Sequence, residues 1–206
     1  MIGVFGGTFD PVHYGHMRAV LELNAVFNLS QMRVVLCARP AHREQPKAGV
    51  HHRLEMLRIA LAYQPHLILD DQECQREGPS YTVDTLSALR MAYPAMPLLL
   101  FVGSDAFSGF EGWHRWQYIV ELAHIVVVNR PASTRLTVGS YFESRITNNA
   151  LHLKENLAGY VFFQDVTALT ISSTAIRHMI ATGQDPSYLL PDAVLAYVND
   201  AGLYQR

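Results

Sequence analysis

The chain has 206 residues, of which 50% are hydrophobic and 17% charged, with a formal net charge of -2. That length and balance describe a folded chain with a core of its own, and they exclude a disordered tail or a broad positive field built for a long nucleic acid. Cys37 and Cys74 make neither a disulfide framework nor a metal-ligand pair, and every apolar run is far shorter than a bilayer span, so the reading is a cytoplasmic protein with no membrane contact.

Met1 to Phe5 is a short apolar run leading into Gly6-Gly7, and His16 to Phe27 then spaces Met17, Val20, Leu21, Asn24 and Phe27 as a helix does. Gln31 to Cys37 reads as a second buried strand with Arg33 its one charge, followed by a helix over Val50 to Tyr63. Leu67 to Leu69 is a third strand, and Thr82 to Ala92 a helix that stops before Pro94. Leu98 to Val102 and Ile125 to Val128 are further strands, separated by a Trp-rich segment. From Arg130 to Gly159 periodicity is weak, with a short helix predicted near Phe142 to Ile146. Val161 to Gln164 is the last strand, Ser173 to Ala181 a helix closed by Gly183, and Pro191 the first residue of a terminal helix ending near Gly202.

Strands alternating with helices imply parallel pairing through right-handed crossovers, and in such open sheets ligands bind beyond the carboxyl ends of the strands. Gly6 to His16, Ala38 to Arg43, Gly103 to Asp105, Arg130 and Ser172 to Arg177 all follow predicted strands, so five distant segments are expected at one crevice. The stretch from Gly6 to His16 carries the sharpest chemistry. Two glycines after a strand let the backbone turn and approach a phosphate, while His13 and His16 straddle Gly15 at the start of a helix whose unpaired N–H groups face the same anion. Neither Gly-Lys-Ser/Thr nor Gly-x-Gly-x-x-Gly is present, which removes the main support for a P-loop or a dinucleotide oxidoreductase. Adjacent Asp70-Asp71 is not a metal pair, because neighbours at a strand end point to opposite faces.

The stretch Gly-Gly-Thr-Phe-Asp-Pro-Val-His-Tyr-Gly-His resembles the signature of bacterial nicotinate-nucleotide adenylyltransferases, in the nucleotidyltransferase superfamily marked by (His/Thr)-x-Gly-His. Ala38 to Arg43 is similar to the family's Pro-Pro-His-(Lys/Arg) loop, with Ala41 where a second proline is usual. Pro79 to Leu86, Gly103-Ser104-Asp105, Trp113, Arg130-Pro131 and Ile171 to Arg177 extend the likeness over nearly the whole chain, apart from Ala132 to Gly159. The resemblance implies an α/β fold, a Rossmann-like doubly wound, mainly parallel sheet of five to six strands with helices on both faces. It implies one domain over 1–206, with helices from about 173 to 203 completing the ATP site.

The activity so implied is transfer of AMP from ATP to nicotinate mononucleotide, giving nicotinate adenine dinucleotide and pyrophosphate in NAD biosynthesis. The attacking group is the substrate's own phosphate, largely ionised near neutral pH because its second pKa is about 6, so no general base is needed. By resemblance, Gly6, Gly7, Thr8, Phe9, His13, His16, Gly103, Asp105, Ile171, Ser172, Ser173, Thr174 and Arg177 bind ATP. His13, His16 and Arg177 act on the transferring and departing phosphates. His42, Arg43 and Arg130 are expected at the acceptor's phosphate. Tyr81 lies in the acceptor loop, Trp113 stacks on the pyridine ring, and the N–H groups of Thr82 and His114 receive the nicotinate carboxylate, whereas Trp116 packs in the core. Mg²⁺ arrives on the ATP phosphates, with no metal site on the protein itself.

The rival readings are another transferase of the superfamily, such as the phosphopantetheine enzyme, which has Thr at the place of His13, and a non-catalytic nucleotide sensor. A class I aminoacyl-tRNA synthetase fragment is argued against by the missing Lys-Met-Ser-Lys-Ser loop. The resemblance is silent on oligomeric state.

Overall fold

The computed structural model describes residues 1–41, 44–129 and 139–205. In chain order the elements are β1 (Ile2–Gly7), α1 (Tyr14–Val26), β2 (Gln31–Leu36), α2 (Val50–Leu61), β3 (Leu67–Asp70), α3 (Thr82–Ala92) and β4 (Leu98–Gly103). There follow α4 (Ser104–Phe107), a single 3-10 turn (Phe110–Gly112), α5 (Trp116–Leu122), β5 (His124–Asn129), α6 (Ser140–Glu143) and α7 (Leu151–Glu155). The chain closes with β6 (Val161–Asp165), α8 (Ser173–Ala181) and α9 (Asp192–Asp200).

The strands form one parallel sheet in the order β3-β2-β1-β4-β5-β6. The central strands read as unbroken apolar runs because both their faces are covered. Along β4, Leu99 and Phe101 enter one core while Leu98, Leu100 and Val102 enter the other, and along β5 Val126 and Val128 oppose Ile125 and Val127. The first core takes Met17 and Val20 of α1, Met56 and Leu57 of α2, Ile176 of α8 and Val194 of α9. The second takes Val83 and Leu86 of α3, Ile119 of α5 and Phe142 of α6. The expected doubly wound sheet with helices on both faces is therefore present, and the C-terminal helices pack on it. Strand order reverses between β1 and β4, where such sheets open a crevice.

Several boundaries depart from the sequence reading. Gly6 and Gly7 are not a turn: they pair with Val35 and Leu36 as the end of β1, and the chain turns after them at Phe9, whose φ is 47°. Helix α1 begins at Tyr14, two residues earlier than predicted, with His13 as its N-cap. The short helix expected over Phe142 to Ile146 lies at Ser140–Glu143, and Ile146 instead bridges Val161. Helix α7 was not foreseen; it is short and opens where the Asn149 side chain accepts from Leu151 N. Pro191 caps α9 from outside the helix. Gly183, at φ 72°, does close α8: its N–H reaches Ile180 O and that of Gln184 reaches Met179 O, which is a Schellman turn.

Candidate active site

The site lies past the carboxyl ends of β1 and β4, and its first wall is Thr8 to His16. Gly7 is required there because a Cβ would stand 2.8 Å from the Phe9 ring, which is folded back into the core and buried. Gly6 is exposed, with nothing within 4 Å of where its Cβ would be, so the end of β1 offers bare backbone to a ligand. The His13 and His16 rings stack at 3.7 Å with 22° between their planes, and Phe9 meets His16 edge-on at 5.1 Å. His13 is buried, and its Nδ1 accepts from His16 N at 3.4 Å. The same His16 N–H also donates to His13 O at 2.9 Å, so the His13 ring is held against the first turn of α1. Gly15 keeps this pair possible, since a Cβ on it would press the His13 ring at 3.0 Å.

The second wall is the start of α8, over 150 residues away in sequence, and it is fastened directly to the first. Arg177 Nη1 donates to Asp10 O at 2.8 Å, Ser173 Oγ donates to Pro11 O at 2.9 Å, and Ile171 O lies 3.6 Å from the Cβ position of Gly15. Ser172 is the N-cap of α8, its hydroxyl accepting from Ala175 N at 3.2 Å, and Thr174 Oγ1 accepts from Arg177 Nη2 at 3.3 Å. Arg177 is thus held with its guanidinium beside the histidine loop, where the first-turn amides of α8 add positive potential.

Beneath this junction lie two ionic residues that the sequence reading did not single out. Asp10 is buried and accepts from Lys47 N at 2.7 Å, Ala48 N at 3.0 Å and the Tyr204 hydroxyl at 2.8 Å, while Arg177 Nη1 stands 3.7 Å from its Oδ2. Arg53, only 2% exposed, donates to four carbonyls: Thr8 at 3.0 Å, Cys37 at 2.7 Å, Ala38 at 2.7 Å and Ala48 at 3.1 Å. Burial lowers its pKa, the Asp10 charge opposes that shift, and a guanidinium stays protonated at any ordinary pH. The signal for Arg53 was present in the sequence, because it shares the buried stripe of α2 with Met56, Leu57 and Leu61 at helical spacing. Asp10 belonged to the quoted motif but had no role there.

From Arg53 the rim continues past the end of β2 toward the start of α3. Arg39 N donates to Ser80 Oγ at 3.1 Å and Ser80 N to Arg39 O at 2.8 Å, which ties the loop after β2 to the loop before α3. The Tyr81 ring then meets His114 at 4.3 Å, bringing the start of α3 against Trp113-His114. Trp113 is half-buried and its ring lies tilted against Phe110, with centroids 4.9 Å apart and 32° between the planes. Thr82 is the first residue of α3, and among the described residues neither its N–H nor that of His114 has a hydrogen-bond acceptor. Gly103 and Asp105 stand exposed at the end of β4, beside β1, with Gly103 the N-cap of α4. Trp116 packs on Tyr141 and Phe142, at 4.7 and 5.5 Å. His42, Arg43 and Arg130, expected at the acceptor phosphate, lie outside the described residues.

The Asp70-Asp71 pair is structural. Asp70 is buried on Arg33 at 2.8 Å, while Asp71 accepts from Gln75 at 3.1 Å. Among the described residues no cluster of three or more His, Cys, Asp or Glu could hold a metal ion, and no helix is long and apolar enough to cross a membrane.

A doubly wound sheet with a His-x-Gly-His N-terminus and a cationic helix start at its switch point defines a nucleotide-binding transferase class. Residues 4–179 match the cytidylyltransferase-like family model. A relative from Methylococcus capsulatus, described as a probable nicotinate-nucleotide adenylyltransferase, is 44% identical over 210 residues covering 100% of both chains. Proteins so described from Acidithiobacillus ferrooxidans and Marinobacter nauticus are 44% and 45% identical over 98% of this chain and 94% and 95% of their own. Plasmodium falciparum nicotinic acid mononucleotide adenylyltransferase, solved with NaAD, shares the fold with a TM-score of 0.75 at 20% identity, over 98% of this chain and 96% of that one. The chain belongs to the cytidylyltransferase-like family and, within it, to the nicotinate-nucleotide adenylyltransferases.

Proposed function

We propose that the chain transfers the adenylyl group of MgATP to nicotinate mononucleotide, releasing pyrophosphate. The observation that carries this reading is the direct fastening of α8 to the histidine loop, by Arg177 on Asp10 O and Ser173 on Pro11 O. That junction gathers two imidazoles, a guanidinium, serine hydroxyls and helix-start amides around one space, a donor set suited to a triphosphate.

A phosphate oxygen of the acceptor forms a bond to the α-phosphorus while the bond from that phosphorus to its β-bridging oxygen breaks. The bridging oxygen leaves with the electron pair as pyrophosphate. His13 and His16 bind the α-phosphoryl oxygens as charge builds on them, and Arg177, with Ser172, Ser173 and Thr174, holds the β and γ phosphates. Gly6, Gly7, Thr8 and Phe9 supply the backbone floor, Gly103 and Asp105 receive the nucleoside, and the Ile171 carbonyl borders the same space. Holding both substrates in line supplies roughly 7 to 11 kcal/mol of barrier lowering, and the fixed cations add to it.

Mg²⁺ is proposed as part of the MgATP substrate, carried on phosphate oxygens. The donor set fits that role: the wall groups are cations and N–H or O–H donors, and the nearby Asp10 carboxylate is already engaged by two amides and a phenol.

On the acceptor side, Trp113 stacks on the pyridine and Tyr81 borders it. The N–H groups of Thr82 and His114 receive the carboxylate, and His42, Arg43 and Arg130 are assigned to the phosphate. A carboxylate only accepts, whereas a carboxamide also presents donors, so paired N–H groups select nicotinate. We place the protein in the cytoplasm, in keeping with a sequence whose two cysteines make no disulfide framework. Pyrophosphate release on mixing the protein with MgATP and nicotinate mononucleotide tests the reading. Turnover with phosphopantetheine instead, or nucleotide binding without turnover, would replace it with one of the rivals.

A further inference from the structure

Helix α9 lies on α2, with the Tyr197 hydroxyl 2.9 Å from His52 Nδ1. At its end Gly202, at φ 60°, makes a second Schellman turn, with Leu203 N on Val198 O and Gly202 N on Asn199 O. The turn packs Leu203 against the first core and sends Tyr204, itself at φ 63°, back toward the site. The result is a side-chain bond spanning 194 residues, the Tyr204 hydroxyl donating to Asp10 Oδ1 at 2.8 Å. Left-handed backbone at a non-glycine residue is uncommon, and here it accompanies both this bond and the packing of the Tyr204 ring against the first core.

We propose that Tyr204 is a positioning residue for ATP: its hydroxyl occupies Asp10 so that the carboxylate does not draw Arg177 away from the triphosphate. This rests on the assignment of Arg177 to the β and γ phosphates. Among the described residues three groups donate hydrogen bonds to the Asp10 carboxylate, and two of them, the amides of Lys47 and Ala48, are backbone and cannot move far. The third is the Tyr204 hydroxyl, on Oδ1. Arg177 Nη1 waits 3.7 Å from Oδ2, too far for a hydrogen bond, with its donor directed to Asp10 O instead. Removing the phenol oxygen leaves a buried carboxylate short of one donor, and Arg177 is the flexible cation within reach. Its contraction onto Asp10 withdraws it from the ligand. Burial, then the Asp10 charge and bond, keep the phenol protonated as the donor throughout the physiological range.

The test is Tyr204→Phe beside Gln205→Ala, a control on the exposed neighbouring residue, with ATP affinity by calorimetry and steady-state KM for both substrates. Tyr204→Phe is expected to weaken ATP about tenfold, the loss of one charge-assisted contact, with the acceptor KM within about twofold of the parent and Gln205→Ala silent. Combining Tyr204→Phe with Arg177→Lys is expected to weaken ATP no more than Arg177→Lys alone, because the phenol acts through that guanidinium. Unchanged ATP affinity, equal weakening of both substrates, or additive losses in the double variant would overturn the proposal. Calorimetry needs no turnover, so a parent that binds ATP without releasing pyrophosphate would refute the proposed reaction and leave this test standing.

Discussion

Arg53 offers the sharpest structural prediction. It is a buried cation with no carboxylate in contact among the described residues, held by the carbonyls of Thr8, Cys37, Ala38 and Ala48, which belong to the loops after β1 and β2 and to the approach to α2. Arg53→Met keeps most of the side-chain volume and removes the guanidinium's donors from all four carbonyls. At about 1 kcal/mol for each lost contact the cost is about 4 kcal/mol, reduced by the desolvation a guanidinium no longer suffers, for a net of about 3 kcal/mol. In a chain of this size that corresponds to a fall in melting temperature of about 6–12 °C. Arg53→Lys supplies an ammonium with fewer donors concentrated at one point, and is expected to recover about half of the loss. Thermal melts followed by circular dichroism measure both. A Met variant melting within about 2 °C of the parent would refute the reasoning, since the four contacts would then carry no net weight.

Three further predictions concern the site and the pH response. His16→Ala should lower kcat by about a hundredfold or more while moving either KM by less than about threefold, because its contact strengthens as charge develops; a nearly unchanged kcat in steady-state assays would remove it from the chemistry. Trp113→Ala should weaken nicotinate mononucleotide by about tenfold and leave ATP near its parent affinity, and equal weakening of both in calorimetric titrations would make Trp113 a packing residue only. His124 is fully buried with both ring nitrogens engaged, Nε2 on Asn156 O at 2.9 Å and Nδ1 on Tyr160 N at 3.1 Å, and burial lowers its pKa. A depressed folded-state pKa means the unfolded chain takes up a proton first, so this stabilisation is complete above pH about 6.5 and is lost as pH falls below it. Melting temperature should therefore decline from pH about 7 to about 5 more steeply in the parent than in His124→Gln, and parallel curves would contradict the assignment.

The sheet was legible because β4 and β5 bury both faces and so read as uninterrupted apolar runs, and the Schellman glycine of α8 announced its end. The turn after β1 was misplaced because glycine pairs usually mark turns, whereas here they finish a strand and a buried Phe9 takes the left-handed backbone, a residue type that gives no warning of it. The convergence of α8 on the histidine loop followed from strand order, but its fastening by Arg177 and Ser173 to backbone carbonyls leaves no trace in residue type. Tyr204 was invisible for the same reason: its partner is 194 residues away, and only the Schellman turn at Gly202 brings them together. Arg90 shows how easily such roles hide. At the opposite end of the sheet it donates to Tyr93, Met96, Leu122 and Leu157 carbonyls, a second arginine that serves backbone rather than ligand.

The central claim is adenylyl transfer to an acceptor recognised by its carboxylate. Steady-state dinucleotide formation from MgATP, with nicotinate and nicotinamide mononucleotides compared under the same conditions, tests it most directly. A kcat/KM at least about tenfold higher with the nicotinate acceptor is the predicted result. Equal use of the two acceptors, or product from neither, would contradict it.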